Sequence, residues 1–358
     1  MFQVITAITA VALAASVAPA QAEPDEARWA IVIHGGAGVI EPDAMDAATE
    51  AAYRGALEDA VRAGGQMLEG GADAIDVVEQ VIRTLEDDEK FNAGRGAVFT
   101  SEGRNELDAS IMRGSDAAAG AVAAVTTVRH PITLARRVME QSPHVMLIAD
   151  GAEAFAAEQG MEPVDPAHFF TERRWRSMQR AVDEMGLPAP SRPDDVPASQ
   201  PIEEGALDRM EREKAFGTVG VVALDASGVV VAGTSTGGTT AKRWGRVGDS
   251  PIIGAGTYAF EACGVSATGT GEYFIRANAS ARLCMLAEDS ALADLDPAER
   301  GVRAAEGAIA AVEALGGDGG VVALVDGAPV WAFNTPGMYR AAWTGESEPV
   351  VSIFGDEE

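Results

Sequence analysis

Gly217-Thr218-Val219-Gly220 places a threonine directly after a glycine at the head of an apolar run. A threonine hydroxyl is a poor nucleophile near neutrality and needs a base held against it. The last histidine is His168, so no imidazole follows Thr218 in the chain. Cleavage after Gly217 would supply the base from the threonine itself, since a free α-amine has a pKa of roughly 8. Glycine before the scissile bond tolerates a backbone that a Cβ would forbid. A glycine–threonine pair also opens ordinary buried strands, so the residues downstream decide the reading.

Those residues are small hydroxyls and glycines in close succession. A strand over 218–225 and another over 229–234 flank a turn at Asp225-Ala226-Ser227-Gly228. Then come Ser235-Thr236-Gly237-Gly238-Thr239-Thr240 and Gly245-Arg246-Val247-Gly248-Asp249-Ser250-Pro251. An apolar strand over 252–256 precedes Thr268-Gly269-Thr270-Gly271-Glu272, which opens a helix near Tyr273. Exposed N–H groups at a glycine-rich helix start suit an oxyanion or a carboxylate. Arg246 and Asp249, three residues apart, could clamp the carboxylate and ammonium of an amino acid. A surface ion pair is the plain alternative for these two.

Two rival readings compete. Gly233-Thr234-Ser235-Thr236-Gly237 fits the nucleophile elbow of a serine esterase, with His34-Gly35-Gly36 echoing an oxyanion motif. That chemistry needs a histidine after the serine and an elbow that enters a helix. Here no histidine follows, and 238–251 reads as loop. An acidic exported binding protein without chemistry would leave the Gly217–Thr218 bond intact.

His34-Gly35-Gly36-Ala37-Gly38, Phe91-Asn92-Ala93-Gly94, Gly217-Thr218-Val219-Gly220, Thr234-Ser235-Thr236-Gly237-Gly238, the Arg246–Asp249 segment and Thr268-Gly269-Thr270-Gly271-Glu272 occur in this order. Together they resemble the plant-type asparaginase/isoaspartyl aminopeptidase family of N-terminal-nucleophile hydrolases, over roughly residues 29–340. Phe333-Asn334-Thr335-Pro336-Gly337-Met338-Tyr339-Arg340 is similar to that family's C-terminal strand and turn.

The resemblance implies a four-layer αββα sandwich cut between Gly217 and Thr218. It implies Thr218 as nucleophile, Thr236 as a second hydroxyl beside it, and Thr268 with Gly269 as the oxyanion hole. Arg246 would take the α-carboxylate and Asp249 the α-ammonium, with Gly271 lining the pocket and Asn92 near the nucleophile in the substrate site. No catalytic cofactor is implied. A structural sodium ion is, on the carbonyls of Leu85, Glu86, Asp88, Phe91, Ala93 and Arg95, where Asp88-Glu89-Lys90 makes this loop unusually charged. The implied reaction releases aspartate from L-asparagine or β-aspartyl dipeptides, in a dimer of cleaved heterodimers. A glycosylasparaginase-like hydrolase of sugar-linked asparagine is the alternative. That relative typically carries Asp before its threonine, and Gly217 argues against it.

Positioning such a site takes a sizeable core. The 358 residues are 47% hydrophobic with mean hydropathy near zero, which marks a globular chain. Residues 1–22 carry an apolar stretch and end Ala20-Gln21-Ala22, a signal-cleavage pattern that predicts export to the periplasm although Met1-Phe2-Gln3 has no basic residue. Residues 23–217 and 218–358 would then be two subunits of one domain. The net charge of −28 disfavours nucleic acid and anionic membrane as partners. Export would permit a disulfide between Cys263 and Cys284, but Cys284 lies on the apolar side of a helical stretch, which favours two buried free thiols, and the scattered histidines suggest no zinc site.

Apolar residues at 29–33 predict a strand, and Ala74, Val77, Val78, Val81, Ile82 and Leu85 one helical face. Helices are expected over 133–141, after a strand at 145–148 through Glu158, and over 297–315. Strands are expected over 320–325 and 329–333. Residues 186–214, rich in proline and acidic groups, read as a flexible linker.

Overall fold

A computed structural model describes residues 29–38, 40–42, 45–194, 196, 217–345, 348–355 and 357. The expected signal segment and most of the expected linker, 195 and 197–214, lie outside the described residues. Among the described residues the chain forms twelve strands and eight α-helices in a mixed α/β fold.

The larger sheet uses β1 (Ala30–Gly38), β2 (Leu107–Arg113), β3 (Ala119–Val125), β4 (Met146–Ile148), β5 (Val219–Leu224), β6 (Val230–Thr236), β11 (Gly337–Thr344) and β12 (Val350–Phe354). Their order is β12-β11-β1-β5-β6-β2-β3-β4, antiparallel except for the β3–β4 pair. The smaller sheet contains β7 (Thr257–Phe260), β8 (Cys263–Gly269), β9 (Gly319–Val325) and β10 (Ala328–Phe333), in the order β10-β9-β8-β7.

Three apolar cores hold these parts. On one face of the larger sheet, Ile31, Ile33, Val219 and Val221 pack against α1 (Ala47–Glu69), α2 (Ala74–Asp87) and α3 (Pro131–Gln141). The opposite residues Val32, Val222 and Ala232 meet Ala259, Val322 and Leu324 of the smaller sheet. Val265, Val321 and Ala323 then pack against α6 (Gly271–Ala277), α7 (Ala279–Ala287) and α8 (Pro297–Glu313). The alternation along each strand feeds both cores at once, as a period of two requires.

The predicted face of α2 is buried along its length. The start of α2 is capped from outside, since Ala74 N–H donates to Asp225 Oδ2 at 2.9 Å. Asp225 also closes the predicted β5–β6 turn by accepting from the Ser227 and Val229 amides. Two further helices are α4 (Ala149–Glu158) and α5 (Glu172–Glu184). Arg174 on α5 donates to the Gly96 carbonyl at 2.8 Å and Arg173 to those of Glu89 and Lys90, bracing the loop that carries Asn92.

Two expectations need correction. Residues 252–256 form a turn with a single bridge at Ile253, not a strand. Ile252 N–H bonds the Asp249 carbonyl, Gly256 N–H bonds that of Ile252, and Gly254 sits at φ +93°, so the backbone coils before β7. Cys263 and Cys284 are not free: they form a disulfide with Cα atoms 5.7 Å apart. The apolar face of α7 packs on β8, and this docking brings the two sulfurs together.

Candidate active site

Thr218 lies at the head of β5 and is buried. Its Oγ1 stands 2.9 Å from Thr236 Oγ1 at the end of β6. Thr236 Oγ1 also accepts from Gly238 N–H at 3.0 Å, which leaves the Thr236 proton free to point at Thr218. The carbonyl of Gly217 accepts from Asn92 N–H at 2.9 Å. The Asn92 side chain is turned elsewhere, with Nδ2 donating to the Gly238 carbonyl at 2.7 Å and Oδ1 accepting from Val98 N–H at 2.9 Å. It is thus the Asn92 main chain that meets the Gly217–Thr218 junction. That junction is crowded: a Cβ on Gly36 would come within 2.5 Å of Gly217 Cα, and one on Gly217 within 3.0 Å of Asn92 Cβ.

Strand register stacks polar residues in two rows behind this point. Asp108 of β2 pairs with Thr236, and Ser110 pairs with Thr234, while Gly220 pairs with Thr234 from the other side. The deeper row is a buried hydroxyl chain between the sheets. His34 Nε2 lies 2.9 Å from Ser266 Oγ, Ser266 lies 2.7 Å from Thr234, Thr257 lies 2.6 Å from Thr234, and Ser110 lies 2.8 Å from Thr257. Ser110 closes the chain on the Ser250 carbonyl at 2.6 Å, next to Asp249. Burial drives the His34 imidazole down to about 3, against a contact with the Thr218 main chain that raises it. His34 is therefore neutral near pH 7 and acts as a hydrogen-bonding spacer. The row ties β1, β2, β6, β7 and β8 to the loop that carries Asp249.

Arg246 and Asp249 leave that loop together. Asp249 is buried, with Oδ2 lacking a hydrogen-bond partner among the described residues. Burial lifts its carboxyl to about 7, with the Arg246 charge pulling the other way. A Cβ on Gly271 would sit 2.6 Å from Asp249 Oδ1 and 3.0 Å from Arg246 Nη2, so Gly271 borders both members of the pair. Arg246 holds Glu272 in a fork, Nε and Nη2 each 2.9 Å from a carboxylate oxygen. Burial works to lower the Arg246 pKa, but Glu272, Asp249 and Asp108 raise it on balance. Thr268, two residues beyond Ser266 on the same face of β8, is fully buried, and its Oγ1 has no partner among the described residues.

Two buried charged groups, Lys242 and Asp108, escaped the sequence reading, and a third, Glu86, was read only for its main-chain carbonyl. Lys242 Nζ stands 3.8 Å from Asp108 Oδ2 and donates to the Glu106 carbonyl at 2.8 Å, behind Thr236. Burial raises the Asp108 carboxyl, with Lys242 opposing. Glu86 is also buried, accepting from Ser235 Oγ at 2.6 Å and Ile132 N–H at 3.1 Å. Ser235 is thereby engaged inside β6, away from any strand-to-helix elbow, which removes the esterase geometry. Lys242 offered one readable sign, a lysine two residues after the run Thr236-Gly237-Gly238-Thr239-Thr240.

Glu86 yields a stability prediction. Burial raises its carboxyl to about 8, so the folded chain keeps a proton that the unfolded chain has already lost. Its contribution is complete below about pH 4.5 and declines as pH rises toward 8. Glu86→Gln imitates the protonated form. Thermal melts should show the wild type losing ground to this variant between pH 5 and 8, by up to about 1.4 kcal/mol per pH unit. A pH-independent difference would mean that Glu86 folds ionised.

The loop expected to seat sodium offers oxygen donors only, the set a hard cation prefers. The carbonyls of Leu85, Asp88 and Ala93 already accept main-chain N–H groups, and each keeps a second lone pair. Beside them lies a cavity of about 430 Å³ lined by Thr84, Asp87, Asp88, Glu89, Lys90 and Arg95. Among the described residues no cluster of His, Cys, Asp and Glu could hold a metal, and no helix is long and apolar enough to cross a membrane.

Comparison with known proteins gives the site a context. Residues 27–353 match the family model described as asparaginase. The isoaspartyl peptidase of Salmonella typhimurium is 44% identical over 328 residues, spanning 90% of this chain and 98% of that protein. The plant-type L-asparaginase of Pyrococcus furiosus is 42% identical over 247 residues, spanning 69% and 76%. The isoaspartyl peptidase/L-asparaginase of Rattus norvegicus is 36% identical over 329 residues, spanning 90% and 85%.

Proposed function

The chain belongs to the asparaginase family matched over residues 27–353, and from that premise we propose that it is an isoaspartyl peptidase and L-asparaginase activated by its own cleavage. The observation that carries this reading is the pair of threonine hydroxyls 2.9 Å apart, next to a Gly217 carbonyl that accepts from Asn92 N–H.

In the first step Thr218 Oγ1 attacks the Gly217 carbonyl carbon. Asn92 N–H stabilises the charge gathering on that oxygen. The C–N bond breaks as the hydroxyl's proton passes to the departing Thr218 nitrogen, and water hydrolyses the resulting ester to a Gly217 carboxylate and a free Thr218. The new α-amine then serves as base for the same hydroxyl. In turnover the hydroxyl attacks the side-chain carbonyl of an L-aspartyl group, with its proton passing to the amine. Thr268 and Gly269 hold the oxyanion, and the unpartnered Thr268 hydroxyl supports this role. The C–N bond breaks and the protonated leaving group departs as ammonia or an amino acid. Water releases aspartate from the acyl-enzyme. Arg246 takes the α-carboxylate and Asp249 the α-ammonium, with Gly271 beside both.

The fold belongs with this reading as a four-layer αββα sandwich, supported by one core between the sheets and one outside each. Residues 23–217 and 218–358 form its two subunits, which assemble as a dimer of heterodimers. Export fits the Ala20-Gln21-Ala22 pattern and the Cys263–Cys284 disulfide, a bond that persists in oxidising compartments. The loop of Leu85, Glu86, Asp88, Phe91, Ala93 and Arg95 would hold sodium as a structural ion with no part in the chemistry.

The test is kinetic. Purified protein should run as two bands on a denaturing gel and release aspartate from both L-asparagine and β-Asp-Leu. One uncut band with no aspartate from either substrate would remove the reading.

A further inference from the structure

Glu272 stands beside Arg246 with no role in the chemistry above, yet it controls the geometry of that guanidinium. A guanidinium offers two edges to a carboxylate: the side edge of Nε with one terminal nitrogen, and the end edge of both terminal nitrogens. Glu272 occupies the side edge, at 2.9 Å to both Nε and Nη2. This carboxylate lies on the solvent side, with its side chain 54% exposed against 18% for Arg246.

The end edge is bordered by residues without side chains. A Cβ on Gly248 would approach Nη1 to 2.7 Å, one on Gly238 would stand 3.5 Å from Nη1, and one on Gly271 would approach Nη2 to 3.0 Å. None of the described residues accepts from Nη1. The buried Asp249 carboxylate adjoins Nη2 through Gly271. Among the described residues the end edge thus has no acceptor on Nη1, and it is bordered by glycines and by the buried Asp249 carboxyl.

We propose that Glu272 is a positioning residue for substrate recognition: by holding the side edge of Arg246 it aims the end edge at the substrate's α-carboxylate. This rests on the reading of Arg246 as the carboxylate site. Glu272 and substrate therefore bind the same guanidinium together, on adjacent edges. The competing arrangement makes Glu272 an occupant that substrate must displace. The two differ in the sign of their effect on affinity.

The experiment measures β-Asp-Leu turnover and inhibition by L-aspartate in the wild type, Glu272→Ala, Glu272→Gln and Arg246→Lys, after gels confirm that each is cleaved. With Glu272→Ala, KM and the L-aspartate inhibition constant should each rise at least ~10-fold while kcat stays within about twofold. Glu272→Gln, which retains one acceptor for the guanidinium, should recover part of the loss. A fall in both constants would show that Glu272 competes with substrate. Unchanged constants would show that Arg246 needs no second carboxylate, and either result overturns the proposal. Wild-type constants in Arg246→Lys would instead remove the carboxylate site itself, so the two failures are distinguishable. If Glu272→Ala fails to mature, Glu272→Gln still decides by the direction of its change in KM.

Discussion

Thr218→Ala is expected to remain one uncut chain and to lose at least ~10⁴-fold in turnover, because under the proposed mechanism it removes both the nucleophile and the event that frees its base. The geometry makes the residue irreplaceable from nearby. Thr236 is the neighbouring hydroxyl, at 2.9 Å, but it is the last residue of β6 and its nitrogen is a peptide nitrogen of that strand. His34, the histidine nearest the junction in this fold, is held neutral and is committed to Ser266. Thr218→Ser keeps the attacking oxygen and should mature slowly. In the wild type, N-terminal sequencing of the smaller fragment should begin Thr-Val-Gly-Val, with fragments of very roughly 20 and 15 kDa from chain length. Cleavage in the alanine variant, or a fragment beginning elsewhere, would sink the assignment of Thr218.

What could be read in the chain depended on sequence separation. Thr218, Thr236, Arg246, Asp249 and Thr268 stand in short glycine-flanked segments whose residue types suggested the proposed chemistry. The alternation of β5 and β6 and the apolar stripe of α2 were equally local. The hydroxyl chain from His34 to Ser110 was invisible because it exists only through register: Thr234 meets Ser266 across the gap between two sheets. Asp108 and Lys242 meet across 134 positions, since a loop after β6 folds onto β2. The disulfide was misread for a related reason. Cys284 lies on the apolar face of α7, and that face packs on the strand which begins at Cys263. Glu272 could be seen as part of a helix start, but its partner is 26 residues away and set by a turn of the backbone.

An α-linked Asp-Leu dipeptide should be turned over at least ~10²-fold less efficiently than β-Asp-Leu. In the β-linked dipeptide the aspartyl α-carboxylate and α-ammonium are both free, and the scissile amide hangs from the side chain. In the α-linked one an amide stands where, under the proposed reading, Arg246 takes a carboxylate. The guanidinium is mostly enclosed and would keep its end edge unmatched, a mismatch that hydrogen-bonding sites penalise strongly. Asp249 adds a requirement from the other end. Its carboxyl is lifted to about 7 by burial and, on the proposed reading, must ionise to hold an ammonium, so the fall in kcat/KM that protonation of the Thr218 amine begins below about pH 8 should steepen below 7. Blocking the substrate amine should abolish turnover above pH 7, where the Asp249 carboxyl is ionised, because it removes the charge that compensates a buried carboxylate. Arg246→Lys should lose on the order of 2–3 kcal/mol in kcat/KM for β-Asp-Leu and gain nothing for α-Asp-Leu, since an ammonium cannot present a planar fork. Equal turnover of the two dipeptides would show that Arg246 and Asp249 do not read the aspartyl end, even with Thr218 secure as the nucleophile.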